Sequence, residues 1–220
     1  TLSRLLPGGL AEKMRRDGAK IGDVEELDVT VLMSDVRGYS AIAEKCDLSR
    51  LAGQVNTHRA EMNHALLEAG GTVMQFIGDA VMAVFGAPVA QDDHADRAVG
   101  AAVAMIERQA AVNDKWAADG LPAFGLGIGI STGRVAAALL GSAERLEYTV
   151  VGDTVNLAQR LQDRARPAGR IVMSEATHAA LRVPVEAQRL DPTAVKGREA
   201  LVTSYMITVD DTTLPAGGTT

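Results

Sequence analysis

Residues Thr72–Phe85, TVMQFIGDAVMAVF, hold two short apolar runs joined by Gly78-Asp79. A Gly-Asp step between two such runs signals a tight turn, although Asp-Gly is the commoner order, so the stretch predicts a hairpin. Upstream, Leu27–Ser34 (LDVTVLMS) is apolar and β-branched and reads as a buried strand. Between the two, Asp47 or Ser49 can cap a helix running to about Glu68. Its inner side would carry Leu51, Val55, Met62, Ala65 and Leu66, and Gly70-Gly71 would end it. Downstream of Pro88, Asp92 to about Ala118 predicts a long Ala-rich helix. Phe124–Ser131 reads as a Gly-interrupted strand that Thr132-Gly133 turns into a hairpin partner at Arg134–Leu140. A short strand at Tyr148–Val151 and a helix from Asp153 to about Ala165 follow. A strand at Arg170–Met173, a helix at Glu175–Leu181 and strands near Val185–Leu190 and Leu201–Ile207 complete the set. The order β-α-β-β-α-β at the start predicts an α+β, ferredoxin-like or palm-type core. Its helices would lie on one face of a mainly antiparallel sheet with additional C-terminal strands.

At 220 residues the chain suits one substantial α/β domain. Residues 1–22, amphipathic at Leu2–Met14 and broken by Pro7-Gly8-Gly9, read as a connector from an upstream region. Residues 23–209 form the domain, and 210–220, rich in Thr, Gly and Pro, read as a disordered tail. Aromatics at 3% and a net charge of -6 argue against a nucleic-acid binder that stacks bases, and against a globally basic surface for nucleic acid or membrane. The single cysteine, Cys46, excludes an intrachain disulfide framework and fits a reducing, cytoplasmic setting. No apolar run approaches the roughly 20 residues that span a bilayer. The chain opens with Thr1 rather than Met, so it is expected to be a piece of a longer protein, with any membrane attachment in regions outside it.

Asp35 ends the first predicted strand and Asp79 sits in the predicted turn. In a β-α-β-β unit those two places adjoin, so the carboxylates can converge. Such pairs suit hard, oxygen-seeking cations such as Mg²⁺ or Mn²⁺, which also bind substrate phosphates. The loop Val36-Arg37-Gly38-Tyr39-Ser40 offers backbone N–H groups and a helix start to a phosphate. Alone these are weak signals, since a turn aspartate is usually just a turn residue. A third segment changes the balance. In Val150–Arg160 (VVGDTVNLAQR), Asn156 and Arg160 stand one helical turn apart on the same face. An amide and a guanidinium stacked in this way suit a ribose and a developing phosphoryl charge.

Together Met33–Ser40 (MSDVRGYS), Phe76–Gly86 (FIGDAVMAVFG) and Tyr148–Arg160 resemble the class III adenylyl/guanylyl cyclase catalytic domain, and the likeness runs from about Val29 to Tyr205. The resemblance makes residues 23–209 a nucleotidyl cyclase catalytic domain. It implies that Asp35 and Asp79 hold two Mg²⁺ or Mn²⁺ ions per active site, with the Val36 carbonyl as a further ligand. Asn156 would orient the ribose and Arg160 would stabilise the transition state. Lys196, in Val195-Lys196-Gly197, would contact the triphosphate, and Gly38, Tyr39 and Ser40 would line the substrate. The 3′-oxygen would attack the α-phosphorus in line and pyrophosphate would leave.

Base choice is where the sequence departs from the family. Adenylyl members typically carry a Lys four residues before the second metal Asp, and an Asp or Thr shortly before Val-Gly. Here those positions hold Gln75 and Thr149; Thr149 fits and Gln75 does not. A glutamine amide can donate to adenine N1 or, turned over, accept from guanine N1–H, so ATP is expected with GTP as a side substrate. In the family each site is shared between two chains, and this sequence holds both halves, so a symmetric homodimer is implied. The rival is a degenerate domain that binds nucleotide and dimerises without catalysis. A diguanylate cyclase is disfavoured, because its Gly-Gly-Asp/Glu-Glu-Phe signature is missing. His58, His64, His94 and His178 fall in none of the matching motifs; His94 is expected near a helix N-terminus rather than on a metal.

Overall fold

The computed structural model describes residues 23–141, 146–193 and 201–209, with the backbone alone at 139–141 and 146–147. The expected connector at 1–22, the tail at 210–220 and Lys196 lie outside the described residues.

The elements are β1 (Val24–Val36), α1 (Tyr39–Lys45), α2 (Leu48–Glu68), β2 (Thr72–Ile77), β3 (Ala80–Phe85), α3 (His94–Ala118), β4 (Leu126–Gly141), β5 (Leu146–Val151), α4 (Asp153–Arg164), β6 (Arg170–Ser174), α5 (Glu175–Ala180), β7 (Gln188–Thr193) and β8 (Val202–Thr208). The strands run in the order β2-β3-β1-β4-β6-β8-β7, with β5 paired to β4. Among the described residues only β4 and β6 pair in parallel. This is the expected α+β fold, and the hairpin read from Thr72–Phe85 closes on Gly78-Asp79 as predicted. Asp47, rather than Ser49, caps α2, accepting from the Ser49 and Arg50 amides at 3.0 Å each.

From Val29 to Leu32 strand β1 is buried on both sides because both sides are covered. Successive side chains of a strand point to opposite faces. Leu32 and Val36 join Met62 and Leu66 of α2 and Met105 of α3, while Val29 and Val31 join Met82, Val84 and Ala158 of α4. Helices therefore occupy both faces: α2 and α3 pack on one, α4 on the other. This corrects the expectation of helices on one face only. A continuous run such as VTVL is the mark of burial on both sides, whereas a half-exposed strand would alternate with polar residues.

The expected hairpin at Thr132-Gly133 is not formed. β4 runs unbroken from Leu126 to Gly141, and β1 pairs with it from Val24↔Ala138 to Val36↔Leu126. Its glycines are not turn residues, since none has a positive φ. They make room for what lies above the strand. A Cβ on Gly129 would stand 2.2 Å from both the Ala158 carbonyl oxygen and the Gln162 amide nitrogen of α4. The absent side chain is what lets the helix backbone lie directly on the strand.

On the α2/α3 face the core gathers around Phe124. The Trp116, His58 and Tyr39 rings meet it edge-on, with centroids at 4.9, 5.8 and 6.0 Å.

Candidate active site

β1 ends on Asp35 and Val36, and the β2–β3 turn places Asp79 beside them. The Val36 amide donates to Asp79 Oδ2 at 3.0 Å. Gly78, at φ 63, supplies the left-handed turn conformation that side-chain-bearing residues rarely adopt. Helix α2 holds this turn from behind through consecutive residues. The His58 ring reaches the Asp79 carbonyl at 3.3 Å, and Arg59 donates through Nε to the Gly78 carbonyl at 3.0 Å. His58 is fully buried, its other ring nitrogen lies 2.8 Å from Gln109 Oε1, and burial lowers its pKa. The turn is thus fixed in space before any ligand arrives.

The two acidic residues touch. Burial, and then the hydrogen bond to and negative charge of Asp79, push the Asp35 carboxyl from 3.8 up to about 6. Two apposed carboxylates are an unfavourable arrangement that a cation relieves. Among the described residues no cluster of three or more His, Cys, Asp or Glu could hold a metal. The donors at hand are two carboxylates and main-chain carbonyls, all oxygen, with open coordination for water and phosphate. That set fits Mg²⁺ or Mn²⁺ and does not fit a closed zinc site.

Gly38 and Ser40 after the strand are exposed, while Tyr39 is half-buried and meets the Phe124 ring edge-on. Arg37, which sequence reading passed over, crosses β4 and meets the far end of α4. Its Nε donates to the Ala165 carbonyl at 3.1 Å and its Nη2 to the Gln162 carbonyl. Burial, and next the positive charge of Arg166, lower its pKa. Gln162 was missed as well. With its amide oxygen turned to the guanidinium it accepts from Nη1 and Nη2 at 3.0 Å each, and the same end of the amide stands 3.5 Å from Asp35 Oδ2. No motif in the sequence marks either contact, because both join segments far apart in the chain.

Asn156 and Arg160 share one face of α4; Asn156 is exposed and Arg160 half-buried. The buried Nη1 of Arg160 has no hydrogen-bond partner among the described residues. A buried guanidinium nitrogen without a partner is costly, and an anionic ligand would satisfy it. The base-reading candidates are not neighbours on the sheet. Through Met82, Gln75 is in register with Met33, near the Asp35 end of β1; through Ala138, Thr149 is in register with Val24, at the other end. Gln75 is exposed and Thr149 half-buried. His94 opens α3 as expected, its Nδ1 2.7 Å from Thr30 Oγ1.

Comparison with known proteins agrees with this geometry. The family model described as "Adenylate and Guanylate cyclase catalytic domain" matches residues 24–208. "Adenylate cyclase 1" of Rhizobium meliloti is 33% identical over 181 residues, covering 82% of this chain and 27% of its own length. An "Adenylate cyclase" of Anabaena cylindrica is 30% identical over 199 residues, covering 87% of this chain and 39% of its own. The chain thus spans well under half the length of these curated relatives. Among solved structures, the adenylyl cyclase CyaB from P. aeruginosa superposes with a TM-score of 0.81 at 31% identity, covering 86% of this chain and 96% of that one. A guanylyl cyclase structure follows at a TM-score of 0.76 and 33% identity, covering 85% and 93%. With a matching model over nearly all of the described residues and the acidic pair where the fold brings β1 and the β2–β3 turn together, the chain belongs to the adenylate and guanylate cyclase catalytic domain family.

Proposed function

We propose that residues 23–209 are the catalytic domain of an adenylyl cyclase that converts ATP to 3′,5′-cyclic AMP and pyrophosphate in a homodimer whose active sites are shared between chains. The observation that carries this reading is the place of Asp79, whose Oδ2 accepts from the Val36 amide at 3.0 Å and so stands beside Asp35 at the end of β1. Two carboxylates side by side repel, and a divalent cation between them relieves that repulsion.

In this reading Asp35, Asp79 and the Val36 carbonyl would hold two Mg²⁺ or Mn²⁺ ions. When bound, these supply charge to the triphosphate and acidify the ribose 3′-hydroxyl. The chain's own residues do the rest. Gly38 and Ser40 present the loop to the phosphates, and the rigid β2–β3 turn fixes where the acidic pair stands. Asn156 from the partner chain orients the ribose so that the 3′-oxygen faces the α-phosphorus in line. Arg160, one turn along the same helix face, donates to the charge growing on that phosphate. Lys196 is assigned to the triphosphate by resemblance. No protein nucleophile enters: the O3′–P bond forms as the bond to pyrophosphate breaks, and the 3′-hydroxyl proton passes to solvent.

The relatives named adenylate cyclase support ATP as the substrate of this chain. Gln75 in place of the usual lysine favours a relaxed choice, with GTP as a side substrate. The test is cyclic-nucleotide formation from ATP and from GTP with Mn²⁺ or Mg²⁺, with Asp79→Ala as control. Product from the wild type but not from the variant is expected. If neither makes product from either nucleotide, the domain is a nucleotide-binding or dimerisation module instead.

A further inference from the structure

The guanidinium of Arg37 follows a metal-site aspartate by two residues in a glycine loop, yet its donors are committed elsewhere. Nε serves the Ala165 carbonyl, Nη2 the Gln162 carbonyl, and Nη1 and Nη2 the Gln162 amide end. The two main-chain acceptors lie at the C-terminal end of α4, Gln162 in its last turn and Ala165 just past it, where a cation is favourable. The path across the sheet is cleared by a glycine. Gly127 is the β4 partner of Asp35, and a Cβ there would lie 1.9 to 2.3 Å from the Arg37 Nη2, Nε and Cζ atoms. Two residues on, Gly129 admits the α4 backbone itself. The Gln162 amide oxygen, accepting from Nη1 and Nη2, adds a side-chain grip to the two main-chain ones. One side chain thus ties the end of β1 to the helix that carries Asn156 and Arg160.

We propose that Arg37 is a positioning residue that fixes helix α4 to the metal-site end of β1 and so links, within each chain, the two half-sites belonging to opposite active centres. The inference rests on the shared-site reading given above. Arg37 acts through α4 and touches neither substrate nor the reacting atoms. A fork of planar donors gripping several acceptors fixes a helix end more rigidly than a lysine's single charge can.

The test uses heterodimers of an Asp79→Ala chain and an Arg160→Ala chain, which by the shared-site reading contain one complete centre. That centre takes its acidic pair from the Arg160→Ala chain and its α4 residues from the Asp79→Ala chain. Arg37→Met is then added to the Asp79→Ala chain, whose own acidic pair is already disabled. The expected result is a fall in kcat of about tenfold with the ATP KM and the Mn²⁺ requirement within about twofold, because only the donated helix has shifted. Arg37→Lys in the same chain should recover part of the loss. Gly127→Ala, which displaces the guanidinium without altering it, should reproduce the loss even if the methionine chain folds poorly. An unchanged kcat with either substitution in that chain overturns the inference while leaving the shared site intact. An inactive parent heterodimer, beside an active wild type, overturns the shared-site reading and the coupling with it.

Discussion

The Val36 amide donates to Asp79 Oδ2 at 3.0 Å, so the strand that ends in one acidic residue also aims the other. Two residues from different elements thereby act as one rigid pair. Removing either carboxylate should abolish divalent-cation dependence along with activity. Asp79→Asn keeps an acceptor for the Val36 amide but halves the charge, and is expected to cost at least about a hundredfold in kcat. Mn²⁺ titrations of turnover for Asp79→Asn and Asp79→Ala check this; the asparagine variant should fold as well as the wild type.

The raised Asp35 pKa has a direction for stability. Its folded value, about 6, lies above its ordinary 3.8, so its contribution to the metal-free fold is present below the lower value and lost as pH rises through the upper. Metal-free protein should therefore lose more melting temperature between about pH 4.5 and pH 7 than Asp35→Asn does. Mn²⁺ should restore the wild type, and not the variant, at the higher pH. Scanning calorimetry with and without EDTA reads both effects.

Gln75 sits exposed on β2, in register with Met33 two residues before Asp35. Gln75→Lys is expected to raise the ATP-over-GTP ratio of kcat/KM by about 10- to 100-fold, the worth of one good hydrogen bond made or misplaced. Competition assays with both nucleotides measure it. An unchanged ratio removes Gln75 from base recognition.

His58 packs α2 against the Asp79 turn, its ring 3.3 Å from the Asp79 carbonyl. The one N–H of the neutral ring serves the shorter contact, to Gln109 Oε1 at 2.8 Å. His58→Phe keeps a ring against Phe124 but strands the Gln109 carbonyl, at a cost of about 1–3 kcal/mol in urea unfolding. Because the turn loses its support, Mn²⁺ affinity should fall about tenfold or more as well. A stability loss with unchanged Mn²⁺ affinity would make His58 purely a core residue.

Glycines of the two environments should respond with opposite sign. Gly129→Ala would push α4 off the strand and is expected to destabilise by about 1–3 kcal/mol and to lower kcat. Gly53, inside α2 with nothing within 4 Å of a Cβ, should gain up to about 1 kcal/mol as alanine. Urea melts of the two variants compare them directly.

The hairpin and both aspartates could be read from sequence because their signals are local: two apolar runs, a two-residue turn, a strand end. The same reading failed at β4, where glycines in LGIGISTG looked like interruptions. Their reason is the backbone of α4 and the guanidinium of Arg37, both far off in sequence. Helix α1 was missed because seven residues after a loop give no helical period to read. Arg37 and Gln162 were invisible for the same physical cause as the glycines, since their partners are set by tertiary approach alone. The helix face carrying Asn156 and Arg160 was legible, because four-residue spacing fixes a shared face whatever the surroundings.

Trp116 is the protein's single tryptophan, and it lies buried edge-on against Phe124, the ring that also meets His58 and Tyr39. The molecule therefore carries its own fluorophore at the junction of α1, α2 and α3 with the segment leading into β4. Its emission colour reads that junction without any attached dye: blue-shifted while the rings stay dry, red-shifted once water reaches the indole. Light from one residue can thus follow the ground on which the acidic pair stands.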